Sequence, residues 1–487
     1  MSDHDLTDLV DRDATAQAEL VRSGEASPTE LVNAAIARIE ALNPTLNAVI
    51  QPRFEAALAE AAGDLPDGPF RGVPLLLKDL GAQLAGEPYH TGAKFLRAID
   101  WRAAVDGHLV TRLKEAGFVI LGRTNTPELG STCTTEPEAY GPTRNPWNPD
   151  HSAGGSSGGS ASAVASRMVP LAHASDGGGS IRIPASACGV FGLKPSRGRI
   201  SRGPQQGEGW GGASTDGCVS LTVRDTAAFL DVVNGWFPGD PYTAPPPVRP
   251  YVDEVGGLGA GDTAPLRIGV LDHPLQPGFA ADADCTEAVG VTAALLESLG
   301  HHVEVAWPVA LDDPEFGRHY VNLIMVAATQ WVDSWSRELG RQIGPDDIEA
   351  SNWTFAVLGR GISGADYLDS LAWLHGWSRR LAAFWDDHDL LLSPTLGCPP
   401  VRIGELVPDP ADPIPTMTRV SRVIPYTAQF NVSGQPAMSL PLHHDAAGLP
   451  IGTQLVGAAF REDLLLALAA DIERAAPWLG RRPPVCA

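Results

Sequence analysis

The sequence predicts an α/β protein with a large, mostly parallel central sheet covered by helices on both faces. Three observations carry this. Residues 267–305 alternate strand, helix, strand: Arg267-Ile268-Gly269-Val270-Leu271 has strand character, Val289, Val291, Leu295, Leu296 and Leu299 mark a helix over 282–299, and His302 to Val305 forms the next strand. Such a β-α-β unit sets its two strands parallel. Val119-Ile120-Leu121 and Leu390-Leu391-Leu392 are apolar at every residue rather than at alternate ones, the pattern of strands buried on both faces. The 487 residues are 44% apolar and 19% charged, which supplies a core and excludes disorder.

Helices are expected over the first 65 residues. Ser27, Pro28 and Glu30 combine a cap, a first-turn proline and a glutamate three residues after the cap. Val32, Ala35, Ile36, Ile39 and Leu42 follow at helical spacing, and Asn43-Pro44 is the expected stop. A short apolar run from Gly72 to Leu77 ends at Lys78. Residues 108–119 are helical in pattern. Residues 141–160, with three prolines and five glycines, are loop until Ala161 opens a helix of small residues. Residues 175–180 form a second glycine-rich loop. Gly239 to Pro265, rich in proline and glycine, is the expected surface excursion or linker. Two longer helices follow over 316–339 and 364–387. No internal repeat is present.

Charge and cysteine content narrow the function. With 58 acidic and 35 basic side chains the formal charge is −23, the opposite of what a nucleic-acid binder or an anionic membrane surface requires. No apolar run approaches the ~18 residues of a membrane span. Met1 to Arg12 is polar and acidic, unlike a secretory signal; six cysteines, too sparse for a disulfide framework, make the cytoplasm the expected compartment. Cys133, Cys188, Cys218, Cys285, Cys398 and Cys486 include no Cys-x-x-Cys pair and are expected to be reduced thiols. No His-x-x-x-His spacing occurs, and the doublets His301-His302 and His443-His444 suit a surface better than a metal site.

Two serines and a lysine carry the chemistry. Ser156 lies in Gly154-Gly155-Ser156-Ser157-Gly158-Gly159-Ser160 and Ser180 in Ser175-Asp176-Gly177-Gly178-Gly179-Ser180-Ile181-Arg182. Three consecutive glycines leave backbone N–H groups free to converge on one oxyanion, and a serine at their end can attack the same carbonyl. A serine nucleophile needs a base. No histidine stands in a context that suits the role. Lys78, carried inward behind Val73-Pro74-Leu75-Leu76-Leu77, could serve if desolvation lowered its pKa from about 10.4. Each segment also has a plain structural reading: a solvated lysine at a strand end, and flexible Gly/Ser turns. Gly154 to Gly158 satisfies Gly-x-Ser-x-Gly, but Asn145-Pro146-Trp147-Asn148-Pro149-Asp150 cannot be the strand a nucleophile elbow requires. A phosphate loop requires Gly-Lys-Ser/Thr, and neither glycine-rich loop ends that way.

Together these residues resemble the amidase signature hydrolases. The resemblance rests on Gly154 through Gly159, Asp176 through Arg182 with Pro184, the 24-residue spacing of Ser156 and Ser180, and Gly192-Leu193-Lys194-Pro195. Gly72-Val73-Pro74 with Lys78-Asp79, Gly122 through Glu128, Phe430 through Ala437 and Gly448 through Gly452 also match. It implies a large mixed sheet and one domain over 1–487, with a shared core at 70–225 and 425–470, a variable pocket-forming segment at about 300–420 and N-terminal helices over 1–65. It further implies a triad: Ser180 as nucleophile, Ser156 as bridging serine after a cis peptide at Gly155, and Lys78 as base. Gly177, Gly178, Gly179 and Ser180 would donate their N–H groups to the oxyanion. Asp176 and Arg182 would hold that loop, and Ser157 would support Lys78 or Ser156. Neither cofactor nor metal is implied.

Asn125, Ser131, Thr132 and Cys133 are candidates for the pocket wall. So are Ile324 and Trp331, which share helical spacing with Tyr320, Ala328 and Trp335; helix packing is the plainer reading of that stripe. The expected activity is serine hydrolysis of the C–N bond of small apolar or aryl amides. Carbamates offer the same carbonyl. Within the family the chain looks most like the hydrolases of 6-aminohexanoate cyclic dimer, on the strength of residues 13–24, 134–139 and 461–466. An amidotransferase subunit is a more distant alternative. A small-molecule amide or carbamate is the expected partner, and a homodimer is common for enzymes of this size.

Overall fold

Strands apolar on both sides need cover on both sides, and the computed structural model shows how the chain supplies it. The structure describes residues 11–258, 264–275, 279–409 and 411–487. Most of the polar N-terminal start and part of the expected 239–265 excursion therefore lie outside the described residues. Eleven strands form one sheet. They are β1 Val49–Pro52, β2 Pro74–Lys78, β3 Val119–Thr124, β6 Leu171–Asp176, β7 Phe191–Lys194, β8 Thr215–Ser220, β9 Arg267–Val270, β10 His302–Val305, β11 Leu390–Pro394, β12 Ala437–His444 and β13 Pro450–Gly457. Between β3 and β6, β4 (Arg144–Asn145) and β5 (Asn148–Ser152) make a separate small hairpin.

The sheet order is β1-β3-β2-β6-β8-β7-β12-β13-β11-β9-β10. It is mixed, with helices packed against it, as expected for the class. Its parallel pairs are β2·β3, β2·β6, β9·β11 and β9·β10. The expected parallel majority needs correction, because the other six neighbouring pairs are antiparallel. The β-α-β unit at 267–305 behaves as its pattern dictates, with the helix Ala283–Ser298 joining parallel β9 and β10. The centre of the sheet instead uses short returns. Between β12 and β13 the Asp445 carboxylate accepts from the N–H groups of Ala447 and Leu449 and so closes a hairpin.

Local signals decide most helix ends. Ser27 and Glu30 form a reciprocal capping box on the helix Pro28–Leu46. The helix passes the expected stop at Asn43-Pro44 and ends two residues beyond it, at Leu46. The Asn43 side chain meanwhile receives the N–H groups of Ala48 and Val49 and turns the chain into β1. The small-residue helix spans Gly158–Ala165, opening before Ala161. Within the 239–265 excursion, the short 3-10 helix Tyr251–Gly256 is tethered rather than free: Tyr251 is buried and the Asp231 carboxylate accepts from the N–H groups of Tyr251 and Val252.

Strand alternation brings the site together. Leu75 and Leu77 of β2 enter one core and Leu76 the opposite one, which also holds Ala161, Ala163 and Val164 of the helix after Ser156. Lys78 follows Leu76 onto that second face. Because β2 and β6 run parallel, with Leu76 opposite Ala172, Lys78 and the Ser175-Asp176 end of β6 emerge at the same edge.

The long helices Phe316–Glu338 and Gly364–Ala382 cover the C-terminal half. Trp377 is fully buried between them, packs at a tilt with its ring centroid 4.6 Å from that of Phe316 and donates to the carbonyl of Ala310 at 2.6 Å. Trp377→Ala should therefore cost about 3–5 kcal/mol in urea unfolding, as expected for deleting a buried aromatic that also satisfies a carbonyl.

Candidate active site

Lys78 is fully buried at the end of β2. Its Nζ donates to Ser156 Oγ at 2.8 Å and to Ser175 Oγ at 3.0 Å. Burial pulls the amine down to about 7; the charges of Asp216 and Asp176 oppose that fall, and Arg202 adds to it. Half of the amines are then neutral near neutrality, which a lysine in water reaches only near pH 10.4.

A histidine does lie nearby, and it serves the backbone. His173 Nδ1 accepts from the N–H of Lys78 at 3.3 Å, so its Nε2 carries the hydrogen and donates to Asp216 at 3.2 Å. Burial lowers the His173 pKa against the pull of Asp216, which keeps the ring neutral. Arg202 completes the set with an ion pair to Asp216 at 2.9 Å.

Ser156 follows a cis peptide bond at Gly155, as the resemblance implied. Gly130 lies against its hydroxyl: a methyl group built there would come within 3.0 Å of Ser156 Oγ. Ser157 was expected to support Lys78 or Ser156. Its hydroxyl instead donates to the carbonyl of Ser175 and accepts from the Ser175 N–H, both at 3.3 Å. Ser175, which holds the other side of the amine, was not singled out in the sequence. Its place in Ser-Asp-Gly-Gly-Gly-Ser was the available signal.

Asp176 and Arg182 clamp the glycine loop, both fully buried. Asp176 accepts from Arg182 Nε and Nη2, each at 2.9 Å, and from the N–H groups of Gly179 and Ile181 at 2.6 and 3.1 Å. Arg182 also donates to Asn431 Oδ1, Gln454 Oε1 and the carbonyl of Thr427. Burial alone would raise the Asp176 carboxyl, but the Arg182 charge and hydrogen bonds outweigh it and hold the group well below the usual range.

One expected oxyanion donor is lost to this clamp: the Gly179 N–H points at Asp176. Among the described residues no hydrogen bond is donated by the N–H groups of Gly177, Gly178 or Ser180, in contrast to Gly179. Their neighbours fix where they point. In a trans peptide the carbonyl and N–H face opposite ways. Tyr320 donates to the carbonyl of Gly177 at 3.0 Å, which turns the N–H of Gly178 outward from that contact. Thr427 donates to the carbonyl of Gly178 at 2.6 Å, pinning the peptide whose N–H goes to Asp176. Gly178 must lack a side chain, since a Cβ there would lie 2.6 Å from the Tyr320 hydroxyl. Ser180 is half-exposed at the loop end.

The expected pocket residues divide. Ser131 and Thr132, half-buried, follow Gly130 beside Ser156. Cys133 is buried and packs with Ile183, Leu396 and Leu406. Asn125 does not line a cleft; it is fully buried and donates to the Gly141 carbonyl and Thr143 Oγ1, each at 3.0 Å. Ile324 is half-buried, one turn beyond Tyr320. Trp331 belongs to an aromatic cluster, 5.6 Å from Phe95 and 6.2 Å from Trp335, and serves helix packing. Tyr320 and Trp210, the latter standing over Gly177, are the aromatic groups that reach the loop.

This geometry, a buried amine hydrogen-bonded to two serine hydroxyls beside a clamped glycine loop, defines a class of hydrolase, and the comparisons name it. The chain belongs to the amidase family, whose model matches residues 30–466. It is an amidohydrolase. It is 44% identical over 480 residues to the 6-aminohexanoate-cyclic-dimer hydrolase of Pseudomonas sp. (strain NK87), covering 97% of this chain and 96% of that protein. The solved structure of 6-aminohexanoate cyclic dimer hydrolase with substrate superimposes with a TM-score of 0.94 at 43% identity, over 98% of this chain and 100% of that one. A bacterial aryl acylamidase of the amidase signature family superimposes with a TM-score of 0.84 at 28% identity, over 96% and 99%. Among the described residues no helix is long and apolar enough to cross a membrane.

Asp176→Asn should cost about 3–5 kcal/mol in urea unfolding at pH 7, because it strands the Arg182 charge in a dry interior. The native carboxyl value is depressed, so the stabilisation is present above the unfolded value of about 3.9 and is lost only as pH falls below it. The gap between wild type and variant should accordingly narrow in acid.

Proposed function

We propose that the chain hydrolyses amides through an acyl-enzyme on Ser180, with Lys78 as base and Ser156 as proton relay. The observation that carries this reading is the fully buried Lys78 amine, 2.8 Å from Ser156 Oγ, with its pKa pulled to about 7. Neutral Lys78 accepts the Ser156 proton while Ser156 takes that of Ser180, and the Ser180 oxygen bonds the carbonyl carbon. The N–H groups of Gly178 and Ser180, with Gly177, meet the oxyanion. As the tetrahedral species collapses, the C–N bond breaks and the proton returns through Ser156 to the leaving nitrogen. Water then adds to the acyl carbon by the same relay and releases the acid. Ser175 and Ser157 keep the amine aimed, and Asp176 and Arg182 keep the loop in shape.

For substrate we propose a small amide with an aliphatic body, in type close to 6-aminohexanoate cyclic dimer. The support is the extent of likeness to the hydrolases named for that compound, 44% identity over nearly the whole chain. A panel of cyclic dimer, linear dimer, aryl anilide and aryl carbamate tests it. The highest kcat/KM should fall on the cyclic dimer; a preference for anilide or carbamate would overturn the substrate and leave the triad standing.

Three outcomes test the chemistry. Lys78→Met should lower kcat by about 10³-fold or more while the fold, read by circular dichroism, persists. The rate should rise with pH through a value near that of Lys78, about 7, because only the neutral amine accepts a proton; a rate that climbs toward pH 5 would exclude a lysine base. Tyr320→Phe should lower kcat on the order of tenfold with KM little changed, since it frees the peptide that aims the Gly178 N–H.

A further inference from the structure

β2 has a second face, and it lines a cavity. Leu77, which points away from Lys78, contributes to a cavity of about 430 Å³ bounded by β1, β3 and residues 84–102. Four arginines line it, Arg53, Arg97, Arg102 and Arg123, against two carboxylates, Glu87 and Asp100. This positive surplus lies in a chain whose formal charge is −23.

Two of the arginines are neutralised. Arg53 pairs with Glu60 and Glu87, and Arg102 with Asp100. The other two form no ion pair among the described residues. Arg97 donates to the carbonyl of Ala139 and lies 4.6 Å over the Tyr140 ring. Arg123 is 3% exposed and donates to the carbonyls of Pro88, Lys78 and Ala82. Its Nη2 has no hydrogen-bond partner, and neither does Gln51 Oε1 nearby; His90 Nε2 faces Asp100 Oδ1 at 3.6 Å. Asp79, the acid whose charge acts most on Arg123, gives its carboxylate oxygens to the N–H groups of His90 and Gly92 and forms no ion pair with Arg123 among the described residues.

A guanidinium withdrawn from water with no carboxylate in hydrogen-bond contact is costly. A carboxylate supplies both the missing charge and acceptors in the guanidinium's own geometry. The remaining lining includes Ile50, Leu77, Leu84 and Ile120, an apolar bed for a short hydrocarbon chain, and the volume falls in the range of small-molecule sites. We infer that this cavity binds a carboxylate bearing a short aliphatic chain, with the headgroup held by Arg97 and Arg123. It is a different site from that of the serines and lysine, because strand alternation sends Lys78 to the other face.

Calorimetric titration of the intact chain tests this, with sodium hexanoate as ligand, 1-hexanol as its uncharged counterpart and inorganic phosphate as an anion without the chain. Hexanoate should bind saturably and 1-hexanol should not. Arg97→Gln should weaken hexanoate at least about tenfold, the loss expected for one charge-assisted pair, with the melting temperature of the free protein confirming the fold. If that variant does not fold, Arg97→Lys, which keeps the charge but not the two-pronged donor, reads a weakening in the same direction. Absence of saturable binding overturns the inference. So does hexanoate binding unchanged in the arginine variants, which would assign the acid to the serine–lysine site as a product analogue. Phosphate binding without hexanoate binding overturns the ligand class.

Discussion

The removal of one amine from water governs this structure. Lowering Lys78 from 10.5 to about 7 corresponds to on the order of 5 kcal/mol of preference for the neutral form. That preference exists only while the strand carrying Lys78 is covered on both faces, by the Gly158–Ala165 helix on the face of Leu76 and by the opposite core that Leu75 and Leu77 enter. The hydroxyls of Ser156 and Ser175 make the burial tolerable, because a neutral amine with two hydroxyl partners leaves little polarity unsatisfied.

The glycine loop poses the reverse problem. Three glycines have too much conformational freedom to present N–H groups in fixed directions. Order is imposed from outside the loop by Asp176 and Arg182, and then by Tyr320, Thr427, Asn431 and Gln454, which come from segments 140 to 280 residues further along the chain. The middle and C-terminal segments thus belong to the site as much as the serines do. One peptide, Gly178-Gly179, is held at both ends, and that is why Gly179 cannot also serve an external oxyanion.

Much of this was legible beforehand, for local reasons. Ser27 and Glu30 announced a helix start because a capping box is a contact between near neighbours. The 267–305 unit announced parallel strands because its alternation is short and regular. Ser156, Ser180, Lys78, Asp176 and Arg182 each sit in a distinctive string of residues. Ser175 was missed although it opens the Ser-Asp-Gly-Gly-Gly-Ser string, because its role arises only when β6 is laid beside β2. Asn125 and Trp331 were candidates for the pocket wall, but an amide can equally satisfy loop carbonyls and an indole fill a helix crossing, and burial decided between the two uses. The antiparallel centre of the sheet escaped notice because, beyond the β12–β13 hairpin, it joins strands distant in the chain, such as β7 with β12.

By itself the sequence determined which residues could do chemistry: a lysine inside an apolar strand, two serines in glycine-rich loops, an acid and an arginine six positions apart, and a surplus of negative charge. These are properties of side chains and of near neighbours, and they survive without a fold. Only the tertiary structure decided which hydroxyls meet the amine, which N–H groups remain free and which arginines lack a counter-ion. Desolvation, hydrogen-bond direction and ion pairing depend on what packs against a group in space, and the chain supplies those neighbours from hundreds of residues away.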